Sequence, residues 1–62
     1  GRAASYYNLA CYYALSDRPE RAFELLRQAF AICPDLIPFS RTDSDLAPLQ
    51  ALPEYEALVR DR

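Results

Sequence analysis

Apolar side chains recur at helical intervals through the first half of the chain, and prolines interrupt the pattern in the second half. From Ala3 to Leu15, the residues Tyr6, Leu9, Ala10 and Tyr13 fall three and four positions apart, which predicts a helix over 3–16 with these four facing inward. Asp17-Arg18-Pro19-Glu20 then reads as a short turn into a second helix. In this reading Asp17 is its cap, Pro19 suits its first turn, and Glu20 stands at capping-box spacing. The second helix spans 18–33. Its apolar stripe is Ala22, Leu25, Leu26, Ala29, Phe30 and Cys33, and Glu24, Arg27 and Gln28 mark the wet side. Pro34 ends it.

Beyond Pro34 the pattern breaks into three short pieces. Residues 35–41 form a turn or two, limited by Pro38, which fits only a first turn. Thr42-Asp43-Ser44-Asp45 is a run of capping residues ahead of Leu46, Leu49 and Leu52, which predicts a brief helix over 44–51 with Pro48 near its start. Pro53-Glu54 opens a last helix over 53–60, whose inward residues are Tyr55, Leu58 and Val59. No strand pattern competes, so the expected class is all-α: an antiparallel helix pair and a set of short capping helices in one domain.

Composition narrows what such a chain can do. Its 62 residues are 52% apolar and 26% charged, as in a globular domain, and a core of this size supplies only a few kcal/mol of net stability. Seven basic against nine acidic residues give a net charge of −2. Arg18, Arg21, Arg27, Arg41, Arg60 and Arg62 are scattered among carboxylates, so no basic face for nucleic acid is expected. The apolar runs are far shorter than the roughly 20 residues of a membrane span, and the opening lacks a leader pattern, which makes a cytosolic setting the expectation. Gly1-Arg2-Ala3-Ala4 reads equally as a tag remnant or as the start of an excised domain.

The residues of the first half resemble the tetratricopeptide repeat. The pattern is an aromatic, a Leu-small pair, a Tyr, an Ala-x-x-x-large step, an Ala and a Pro, here Tyr6, Leu9-Ala10, Tyr13, Ala22-x-x-x-Leu26, Ala29 and Pro34. Tyr6 stands for the usual Trp, Ala10 for Gly and Leu26 for Phe, each keeping its size class. Ala10 against Ala22 and Ala29 would also let two helices approach closely on packing grounds alone. The stretch from Asp43 to Tyr55 is similar to the segment that closes such arrays in bacterial proteins. The resemblance thus implies a single repeat over 1–34 and a C-terminal cap over 35–62.

What the resemblance implies for function is protein binding without catalysis, in a scaffold or recruitment role. In that family peptides lie along the surface lined by the first helix of each repeat. The matching positions here are Ala4, Tyr7, Cys11, Ala14 and Leu15, an apolar set. Chaperone-binding members hold a terminal carboxylate with Lys and Asn at the positions of Tyr7 and Cys11, so that ligand class does not fit. Because one repeat cannot bury both faces of its pair, an apolar surface near Tyr6, Tyr7 or Tyr12 should remain for an earlier repeat or another chain. The alternative is homo-oligomerisation, two copies covering each other's open face.

Chemistry has little foothold. Asp43 and Asp45 are the nearest approach to a metal or proton-sharing pair, but carboxylates beside Thr42 and Ser44 ahead of a helix read as caps. Neither a Gly turn nor a later Glu completes a calcium loop. Cys11 and Cys33 lack CxxC spacing, and the chain has no His, so neither a zinc site nor an activated thiol is expected. Both cysteines read as reduced, buried thiols, with a disulfide between them as the alternative, and no cofactor is expected.

Overall fold

The computed structural model describes residues 1–60. The cap expected over 35–62 therefore includes two residues, Asp61 and Arg62, that lie outside the described residues. The chain is all-α. Helix α1 is Arg2–Leu15, α2 Pro19–Ile32, α3 Leu36–Arg41, α4 Ala47–Gln50 and α5 Pro53–Arg60, with a 3-10 turn at Ser44–Leu46 leading into α4. The expected boundaries hold to within about a residue, except that 44–51 divides into the 3-10 turn and the single turn of α4.

The turn between α1 and α2 is built differently from the expectation. Asp17 is not the cap of α2. It adopts φ 62° as the left-handed residue that closes α1, and two bonds complete a Schellman motif, Arg18 N–H to the Tyr13 carbonyl (2.9 Å) and Asp17 N–H to that of Ala14 (3.3 Å). Arg18 occupies the N-cap position of α2 without a side-chain bond, and Pro19 opens the helix. Asp tolerates the left-handed region because its short polar side chain is stabilised locally, so the same residue type suits either helix end.

At the far end of α2, Cys33 is forced out of helical conformation (φ −138°, ψ 88°) by the clash a following proline imposes. The chain reverses there and lays α3, the 3-10 turn, α4 and α5 back over the pair. Helix α1 touches α2 along its length and also meets the 3-10 turn and α4, while α3, α4 and α5 all reach α2. Phe30, Leu26, Leu46 and Leu49 are the large side chains removed most completely from water. The three alanines expected between the helices, Ala10, Ala22 and Ala29, are fully buried.

The stripe predicted for α2 is the buried one, with Phe23 added and Cys33 only half-buried at the chain reversal. That for α1 is not. Tyr7, Ala10, Cys11 and Ala14 are buried, Tyr6 and Tyr13 are half-buried, and Leu9 is exposed. The inward face is rotated by about one residue position, roughly 100° around the helix. The cap causes the rotation, because α1 must satisfy α2 on one side and the 3-10 turn and α4 on another. Among the described residues no helix is long and apolar enough to cross a membrane.

Candidate interaction surface

The face that the repeat resemblance implied for peptide binding is occupied by the chain itself. Tyr7 is 4% exposed, and its ring lies 5.6 Å from that of Phe39 at a 49° tilt, within the range of a favourable aromatic pair. Its hydroxyl donates to Asp43 Oδ2 at 2.8 Å. The other carboxylate oxygen, Oδ1, accepts the Asp45 N–H at 3.0 Å. One side chain thus caps the 3-10 turn and fastens it to α1. Cys11 Sγ sits 4.0 Å from Asp43 Oδ2, and Ala14 is buried further along the same face. Of the five residues expected to dock a partner, Ala4 and Leu15 alone reach solvent, and Tyr7, Cys11 and Ala14 do not. Nothing local in the sequence signals this, since Tyr7 and Asp43 are 36 positions apart.

Burial dominates the electrostatics of this seam. Desolvation, then the hydrogen bond to Asp43 and its charge, pushes the Tyr7 hydroxyl far above the usual range, so it remains a donor at any physiological pH. The Cys11 thiol is pushed up to about 11, first by burial and then by the negative charges of Asp43 and Asp45. A thiol in that state is a packing group, not a nucleophile. Cys33 is also a free thiol, half-buried. No group of three or more His, Cys, Asp and Glu side chains is placed to hold a metal ion among the described residues. Replacing Tyr7 by Phe keeps the ring and removes the donor, and is expected to cost about 1–2 kcal/mol, since hydrogen bonds to charged groups exceed neutral ones and this one is partly solvated. Equilibrium urea unfolding checks this, and a loss under about 0.3 kcal/mol would mean that the bond contributes nothing net.

Two residues that drew no attention in the sequence brace the covering segment. Ser40, fully buried, donates from Oγ to the Ile37 carbonyl (2.7 Å), so at the 2.7 Å contact with Tyr55 it is the tyrosine that donates. Gln50 spends its amide protons on the carbonyls of Ser40 (2.8 Å) and Asp43 (3.1 Å). Ser40 resembles a surface residue in sequence, and its burial is tolerable because its hydroxyl is satisfied within its own helix.

The opposite arc of α1 stays open. Leu9 is 44% exposed, Tyr12 61% and Leu15 63%, with Ser5, Asn8 and Ser16 interspersed. Half-buried Tyr6 and Tyr13 flank this ridge. Tyr12 and Tyr13 meet edge to face at 5.3 Å, and the Arg21 guanidinium lies 5.9 Å from the Tyr13 ring centroid, marking the border of the ridge with α2. Arg2 is the single charged residue of α1. A helix face with exposed Leu and Tyr and no charge from Ala3 to Ser16 is unlike an ordinary solvated face. Elsewhere, a shallow depression of about 340 Å³ is lined by Pro34, Ile37, Pro38, Arg41 and Val59, without a nucleophile or an acid–base pair. The chain matches no family model, no curated protein and no solved structure.

Proposed function

We propose that the chain is a non-catalytic protein-interaction module, a scaffold or recruitment domain of the tetratricopeptide-repeat kind acting in a cytosolic setting. Its docking face is the open ridge of α1, Leu9, Tyr12 and Leu15 with Tyr6 and Tyr13 at the edge, and not the covered arc of Tyr7, Cys11 and Ala14. The observation that carries this reading is the exposure of Leu9 and Tyr12 on a helix whose only charge is at its first residue. Tyrosine ridges supply large amphipathic contact area at low conformational cost, which is why they recur in interfaces. The residue pattern of the repeat, with Ala10, Ala22, Leu26 and Ala29 all fully buried between the helices, supports the family reading.

A few side chains on one helix fall short of the roughly 800 Å² per partner of a stable protein interface. That favours a short apolar peptide or a single partner helix over a second copy of the chain. Selection from a displayed peptide library tests this. The expected outcome is a consensus rich in apolar and aromatic residues whose affinity falls about tenfold or more on Tyr12→Ala or Leu9→Ser, each of which leaves the core intact. A consensus that binds both variants as well as the parent chain would remove the ridge as the docking face.

A further inference from the structure

Two rows of side chains on the helix pair share one spacing. On α1, Arg2, Tyr6, Leu9 and Tyr13 follow one another at four, three and four positions, and on α2 Arg21, Leu25, Gln28 and Ile32 do the same. Such intervals keep each row on one side of its helix. The Arg21 guanidinium beside the Tyr13 ring brings the rows together. Because α1 and α2 run antiparallel through the turn at Ser16–Arg18, Arg21 stands level with Tyr13, and the Ile32 end stands level with Arg2. The rows therefore wall one groove, about 16 Å long at the helical rise per residue. Leu25 is buried in it and Tyr6 and Tyr13 are half-buried, while Leu9 and Ile32, at 44% and 51% exposed, show that the cap leaves it open. Neither row contains a carboxylate, and its two cations stand at opposite ends, Arg2 on one wall and Arg21 on the other. Arg21 also pairs with Glu24 at 3.3 Å, but both side chains are mostly exposed, and a guanidinium has donors to spare for a second carboxylate.

We infer that this groove takes one amphipathic helix of a partner protein, about three turns long, with an apolar stripe turned into the groove and an acidic side chain at each end, about eleven residues apart. The inference rests on the docking role proposed for the open ridge, whose Leu9 flank is the α1 wall, and it adds α2 as a second wall. Rows spaced four, three and four accept the side-chain ridges of a third helix. The described residues contain no strand whose edge could hold an extended peptide. A second copy of the chain does not supply the matching helix: α1 has no carboxylate, α2 carries Glu20 and Glu24 in its first half alone, and the other described helices are shorter.

Displayed segments of about 15 residues, selected on the full chain, test this. Their affinities are compared on the parent and on Leu9→Ser, Ile32→Ser and the double reversal Arg2→Glu with Arg21→Glu, all at exposed positions. The expected consensus has two acids about eleven positions apart flanking apolar residues at three- and four-residue spacing. Affinity is expected to fall about tenfold on Ile32→Ser as on Leu9→Ser, and the double reversal to select basic residues at the same two places. Should the double reversal fail to fold, Arg2→Glu alone replaces it, since an acid in the first turn suits the helix dipole. Ligands that ignore Ile32→Ser but are lost on Leu9→Ser, acids about five positions apart as an extended segment requires, or acids still selected by the reversed chain would each overturn the helix and leave the ridge as the docking face. Ligands indifferent to Leu9→Ser would remove ridge and groove together. A parent chain that sediments as a dimer and reverts to monomer on Ile32→Ser would give the groove to a second copy and overturn the inference.

Discussion

Truncating Phe30 to Ala is expected to abolish the folded state. Phe30 is fully buried on α2, beside Leu26 in the shared core of the helix pair and the cap. Phe-to-Ala truncations in such positions cost about 3–5 kcal/mol, the lost transfer energy plus that of the cavity left behind. A chain of 62 residues has only a few kcal/mol in total. Far-ultraviolet circular dichroism should therefore show a loss of most helical signal at 25 °C and no cooperative urea transition. A cooperative transition within about 1 kcal/mol of the parent would mean that the site collapses around the smaller side chain and that the packing described for Phe30 is wrong.

Leu46→Ala should be nearly as damaging, although Leu46 lies in a three-residue 3-10 turn and not in either long helix. It is fully buried in the main core cluster, and the turn that carries it touches α1. Leu-to-Ala in a closed site costs about 2–5 kcal/mol. Urea unfolding gives the number, and the prediction is a midpoint shift about twice that of Tyr7→Phe. A change below about 1 kcal/mol would show that the cap is an ornament on a helix pair stable by itself, contrary to the account of a core shared between them.

The sequence disclosed some of this and concealed the rest for identifiable reasons. Prolines at 19, 34, 48 and 53 placed helix ends because a proline can occupy a first turn but not an interior. The buried face of α2 was legible because Glu24, Arg27 and Gln28 mark its wet side and fix the phase of the apolar stripe. Helix α1 has weaker markers: Arg2, Ser5 and Asn8 do lie on its open side, but exposed Leu9, Tyr12 and Leu15 stand among them and blur the phase, and the cap, folding back from thirty residues away, packs on Tyr7, Cys11 and their neighbours.

The same blindness moved the candidate site. The docking positions implied by the repeat resemblance assume that the first helix leaves that arc open, and here Phe39 and Asp43 fill it. Asp17 misled in a smaller way, since aspartate is favoured both as an N-cap and as a left-handed residue, and Asp17-Arg18-Pro19-Glu20 satisfies either reading until backbone geometry decides. Ser40 and Gln50 carried no signal, because their partners are carbonyls and a tyrosine hydroxyl supplied by the folded cap.

The central claim is that the cap covers the Tyr7 side of α1 and leaves the Tyr12 side open. Nuclear Overhauser spectroscopy on the full chain tests it most directly. The account predicts cross-peaks from the Tyr7 ring to the Phe39 ring, and none from the Tyr12 ring to any residue beyond Pro34. A Tyr7 ring without contacts past Pro34, or a Tyr12 ring that has them, would contradict it.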